Sequence, residues 1–83
     1  MKVVAYSKAA LKTLRRMPAT EGRRVRDKIE QFAADPQSLA NNLKALTGSP
    51  FVRLRVGDWR VIMDDRGMVL EILKIGPRGG VYD

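Results

Sequence analysis

Residues 51–64, FVRLRVGDWRVIMD, decide how this chain folds. Side chains alternate between the two faces of a strand. Val52, Leu54 and Val56 therefore share one face of a first strand, and Phe51, Arg53 and Arg55 share the other. Gly57-Asp58 suits a two-residue hairpin turn, with glycine where a type II′ turn takes positive φ. That turn pairs Val56 with Trp59, Arg55 with Arg60, Leu54 with Val61 and Arg53 with Ile62. One face of the ribbon then gathers Val52, Leu54, Val56, Trp59, Val61 and Met63, an apolar set fit for a core. The other brings Arg53, Arg55 and Arg60 together. Like charges facing each other across strands repel, so such a cluster points to something anionic held over it.

The flanks extend this frame. Lys2 to Tyr6 is a β-branched run that reads as a strand, and Ser7 is placed to cap a helix. Ala10, Leu11, Leu14 and Met17 then form one helical stripe that Pro18 ends. Thr20 is expected to cap a second helix, with Glu21 against its positive end. Val25, Ile29, Phe32 and Ala33 give that helix an apolar face, and Asp35-Pro36 stops it. Residues 36–50 read as a connection in which Leu39, Leu43 and Leu46 anchor the chain or form a short helical turn. After the hairpin, Asp64-Asp65-Arg66-Gly67 is a second turn signal. Met68 to Ile75 is an almost continuous apolar strand, as expected when both faces are partly covered, and Gly76-Pro77 breaks it. The expected fold is α+β in the order β-α-α-β-β-β, one domain over residues 1–83. A helical hairpin packs on a mainly antiparallel, four-stranded twisted sheet.

Composition narrows the chemistry. The 83 residues include no cysteine and no histidine, which excludes disulfides and any metal site built on those ligands. The carboxylates are not clustered for a metal cage either, and the cytoplasm is the natural compartment. Lysine and arginine outnumber the acids by 16 to 9, and the isoelectric point is near 10.4. That balance favours a polyanionic partner, nucleic acid or an acidic protein, over a merely soluble basic surface. No apolar run approaches the roughly 18 residues of a membrane span. MKVVAYSKAA is too short and too polar after Ala5 for a secretory signal.

The basic residues themselves suggest a site. Arg53, Arg55 and Arg60 converge, Arg78 adds a fourth guanidinium from the C-terminal tail, and Lys74 and Lys44 flank them. Guanidinium is planar, always charged and matched to bidentate phosphate contact. Converging guanidiniums can hold an RNA backbone and stabilise the extra charge of a phosphorane-like transition state. On the residues alone a second reading stands equally open: solvated outer-face arginines of an ordinary hairpin, with Glu71 on the next strand neutralising Arg60. Tyr82 is placed either to meet a base or the scissile phosphate or to cover the sheet edge. Trp59 belongs to the core by its face assignment rather than to a stacking platform. Gly76, Gly79 and Gly80 are too widely spaced for a phosphate loop.

Taken together, VVAYSKAALKTLRRMP, Asp35-Pro36, Leu43 to Gly48, RLRVGDWRVIM at 53–63 and IGPRGGVY at 75–82 resemble a RelE-type toxin of the RelE/ParE superfamily over essentially the whole chain. The resemblance implies a RelE-like fold and cleavage of messenger RNA in the ribosomal A site. There the 2′-hydroxyl attacks the adjacent 3′-phosphate, with no metal and no cofactor. By position, Arg53, Arg55 and Arg60 contact phosphates, Arg78 stabilises the transition state or assists the leaving group, and Tyr82 orients the substrate. Lys74 is a weaker candidate for the same surface. The resemblance also implies a cognate antitoxin with an acidic amphipathic segment, and operator DNA bound only through that antitoxin. The chain departs from histidine-containing members at Pro77, and Phe51 stands where others use a basic residue. A ParE-like inhibitor of DNA gyrase, or a degenerate toxin serving only as the antitoxin's partner, are the alternative expectations.

Overall fold

The computed structural model describes residues 2–77. Strand β1 (Val3–Tyr6) leads into helices α1 (Lys8–Arg16) and α2 (Ala19–Ala34). A 3₁₀ segment, Pro36–Asn42, follows, and then strands β2 (Leu43–Ala45), β3 (Val52–Val56), β4 (Trp59–Asp65) and β5 (Val69–Pro77). The strands make one sheet in the order β1-β5-β4-β3-β2. β2 to β5 form an antiparallel meander, and β1 joins its far side parallel to β5.

The hairpin register agrees residue for residue with the alternation argument: Val56 faces Trp59, Arg55 faces Arg60, Leu54 faces Val61 and Arg53 faces Ile62. Gly57 has φ +59°, and among the described residues positive φ is confined to glycine, so the tip has its positive φ at the first central position alone, as a type II′ turn requires. The sheet has five strands rather than four. The additional strand, β2, lies inside the stretch read as a connection. Three residues give too short an alternation to be seen, and β2 exists because Leu43–Ala45 find partners on β3.

Both helices pack on one face of the sheet. Ser7 caps α1 as expected: its Oγ accepts from the Ala10 N–H at 3.0 Å and donates to the Leu73 carbonyl at 2.7 Å. The same side chain thus pins the helix start to β5. Thr20 does not cap α2. The helix begins at Ala19, two residues earlier than a Thr20 cap implies, with Pro18 as its boundary and no side-chain cap. Proline's preset φ starts the turn, and its carbonyl accepts from the Gly22 N–H at 2.9 Å. At Gly22 the helices approach closely, since a β-carbon there would stand 3.4 Å from the Leu14 carbonyl oxygen.

Ala10, Leu14 and Met17 of the first stripe, and Val25, Ile29, Phe32 and Ala33 of the second, are buried against Leu54, Val56, Val61, Met63, Leu70, Ile72 and Ile75. Val52 and Trp59 complete the expected ribbon face as partly buried residues packed on this core. β5 departs from its sequence reading in two ways. Ile72 and Ile75 are three apart, yet both are buried. Met63 pairs with Ile72 and Ile62 with Lys74, so Leu73 bulges and shifts the alternation by one residue. The apolar run therefore reflects a bulge on a strand whose core side faces the helices. Moreover, β5 continues through Gly76 and Pro77, which pair with Arg60 and Trp59. β1 ends opposite Ile72, so beyond it β5 has an open side, where a residue without an N–H is tolerated. Among the described residues, no helix is long and apolar enough to cross a membrane.

Candidate functional site

The helix-free face of the meander carries the cations. Lys44 on β2 stands opposite Arg53 on β3, Arg55 opposite Arg60 on β4, and Lys74 on β5 opposite Ile62. Alternation turns all five away from the helices. Lys44, Arg55 and Lys74 are exposed, and Arg53 and Arg60 are half-buried. Residues directly opposite on antiparallel strands have β-carbons about 5 Å apart, so the Arg55–Arg60 pair concentrates two positive charges near the hairpin tip. The remaining two candidates from the sequence, Arg78 and Tyr82, lie outside the described residues.

Two adjoining hollows run along this face. One, of about 460 Å³, is lined by Asn42, Arg55, Gly57, Asp58 and Arg60. The other, of about 240 Å³, is lined by Asn41, Asn42, Leu43, Lys44, Arg53 and Arg55. They share Asn42 and Arg55, so the two hollows adjoin between the hairpin tip and the β2 edge and together form a groove along this face. Asn42 is a member that sequence reasoning missed. Its Nδ2 donates to the Arg55 carbonyl at 3.3 Å, closing the groove wall between the end of the 3₁₀ segment and β3. A lone asparagine at the end of an irregular connection carries no periodic signal that marks such a role. Asp58, read only as a turn residue, places a carboxylate at the tip end.

Glu71 does not neutralise Arg60. Arg60 faces Gly76, while Glu71 faces Asp64 near the far end of the strands and has Arg66 Nη1 at 3.9 Å. Arg60 instead donates from Nη1 to the carbonyls of Gly57 at 3.4 Å and Trp59 at 3.3 Å. The ion pairs Lys2–Asp65, Arg66–Asp64 and Arg66–Glu71 all lie away from the hairpin tip. On the outer face Asp64 and Glu71 pair with Arg66 at the end away from the tip, and the cation-lined groove at the tip end includes one acid, Asp58. A field of this shape draws a polyanion toward the groove.

The sequence matches the family model described as the ParE toxin of the type II toxin–antitoxin system, parDE, over residues 4–82. The chain belongs to this toxin family. No curated protein sequence matches it. Among solved structures, the toxin is similar to the archaeal RelE–RelB complex of Pyrococcus horikoshii OT3, with a TM-score of 0.78 and 28% identity over 95% of this chain and 97% of that one. It is similar also to the RelB–RelE antitoxin–toxin complex of Methanococcus jannaschii, at TM-score 0.75 and 21% identity over 95% of each chain. A third is the DinJ–YafQ toxin–antitoxin complex of E. coli, at 0.74 and 15% over 99% and 98%. The last two likenesses show the fold, which is that of RelE-like toxins. Family and fold agree that this is a toxin of a type II toxin–antitoxin system within the RelE/ParE superfamily.

Proposed function

We propose that the toxin is an endoribonuclease that cleaves messenger RNA, with the ribosomal A site as its place of action and the groove between Lys44 and Arg60 as its phosphate-binding surface. The observation that carries this reading is the convergence of Arg53, Arg55 and Arg60 on one helix-free face, with Lys44 and Lys74 beside them. Four cations lining adjoining hollows, with Lys74 on the same face, suit an extended phosphodiester chain better than a single anion. In the reaction the 2′-oxygen forms a new bond to the adjacent phosphorus, and the bond to the 5′-oxygen of the next nucleotide breaks. The 2′-proton leaves to solvent or a nearby base, and a proton goes to the departing oxygen. Arg53 and Arg60, with Arg55 beside them, offset the charge that builds on the phosphoryl oxygens. Lys44 and Lys74 hold the flanking phosphates. Arg78 is assigned to the transition state or leaving group and Tyr82 to substrate orientation.

The partner in this reading is a cognate antitoxin whose acidic segment competes for the groove. The similar chains from P. horikoshii, M. jannaschii and E. coli were each solved as complexes with an antitoxin. Cytoplasmic action follows from the substrate. Mapping RNA 5′ ends in cells after brief expression tests the proposal. New ends inside coding regions are expected, and they should vanish for Arg55→Ala/Arg60→Ala. A second reading, inhibition of DNA gyrase, is favoured by the ParE description of the matching family and by the absence of histidine. Loss of supercoiling activity with intact messenger RNA would select it, because one fold serves both activities.

A further inference from the structure

The groove is braced from the opposite face of the sheet. Trp59 turns toward the helices, and its indole N–H donates to Glu21 Oε1 at 3.3 Å. Glu21 lies in the first turn of α2. Arg24, one helical turn on, lies against the hairpin tip: a β-carbon at Gly57 would stand 3.2 Å from its Nη1. The Gly57 carbonyl in turn accepts from Arg60 Nη1 at 3.4 Å. The start of α2 and the guanidinium of Arg60 thus hold the same two-residue turn from its two sides.

We propose that Glu21 is a positioning residue for Arg60: by fixing Trp59 it sets the hairpin tip, and the tip sets where the Arg60 guanidinium meets a phosphate. The inference rests on the groove's reading as a phosphate-binding surface. Its discriminating feature is sign. Glu21 is an exposed acid in a protein of net charge +7. Charge alone makes its removal favour any polyanion. Positioning makes its removal harmful.

The test is the affinity of a 2′-O-methyl single-stranded RNA, which binds but cannot be cleaved, for the folded toxin. Glu21→Ala is expected to bind about fivefold more weakly, the effect of removing one hydrogen bond. Glu21→Gln keeps the acceptor oxygen and is expected to bind at least as well as the wild type. Trp59→Phe keeps an aromatic ring and the net charge and removes the donor; it should weaken binding at least as much as Glu21→Ala, and the double variant should bind no more weakly than Trp59→Phe. Equal or tighter binding by Glu21→Ala, a loss in Glu21→Gln matching that in Glu21→Ala, or losses that add in the double variant would overturn the proposal. Failure of the wild-type toxin itself to bind the RNA would instead overturn the reading of the groove, and this inference with it.

Discussion

The two faces of the β3–β4 ribbon come from one alternating stretch of sequence, yet they answer to different forces. On one, Leu54, Val61 and Met63 are fully buried under two helices. On the other, Arg55 is exposed and stands across from Arg60. Burial stabilises the first face by about 25 cal/mol per Å² of apolar surface removed from water. The second buries Ile62, which pairs with Arg53, and its paired Arg55 and Arg60 guanidiniums repel. The difference teaches that the fold is carried by one face and leaves the other free to bind.

Neighbouring substitutions break this comparison most sharply. Leu54→Ala should cost about 2–5 kcal/mol of folding stability. Arg55→Ala, one residue along, should stay within about 0.5 kcal/mol of the wild type while weakening RNA binding. Chemical denaturation of the two variants is the check, and similar losses of stability would erase the distinction. Gly57→Ala strikes both faces at the tip. A left-handed backbone costs a side chain about 1–2 kcal/mol, and the new methyl crowds Arg24. Reduced stability together with reduced RNA affinity is expected, measured on the same preparation. Ser7→Ala should cost about 1 kcal/mol through the missing cap and leave RNA affinity unchanged, because the Ser7 side chain bonds to α1 and β5, away from the groove.

The smallest effect lies at the edge of the core. Burial raises the Tyr6 phenol above its ordinary 10.0; Glu30 raises it further, and Arg26 opposes them. The Arg26 guanidinium carbon lies 6.0 Å from the ring centre. A raised folded-state pKa means that the folded protein holds this proton more tightly. Its contribution to stability is full below about pH 10, the unfolded value, and is lost as pH rises through the folded value. The free energy of unfolding, measured against pH, should decline less steeply in that alkaline window for Tyr6→Phe than for the wild type. Identical alkaline slopes would contradict this.

Much of the molecule was legible in the sequence wherever a period was long enough to count. The β3–β4 register followed from strict alternation about a turn that glycine specifies, and both helical stripes from their 3.6-residue spacing. The face shared by Arg53, Arg55 and Arg60 followed from the same alternation, whereas the sequence marks Lys44 and Lys74 only as flanking residues. What escaped were features set by tertiary pairing. β2 is too short to alternate, the Leu73 bulge reverses a phase that alternation assumes constant, and Pro77 extends a strand because its far neighbour has already ended. At the site, Asn42 and Glu21 act across the fold on Arg55 and Trp59, and no local pattern marks such contacts. The assignment of Glu71 to Arg60 failed for a related reason. Adjacency of strands does not give register, and Glu71 stands well before Gly76, the residue of β5 opposite Arg60.

The central claim is that the arginine face binds the phosphates of an RNA strand. Its most direct test is the salt dependence of single-stranded RNA binding by the wild-type toxin and by Arg55→Ala/Arg60→Ala, with both shown to be folded. The account predicts weaker binding by the variant and a log–log salt slope shallower by about 0.7 for each phosphate that the variant no longer neutralises. Equal affinity and equal slope in the two proteins would contradict it.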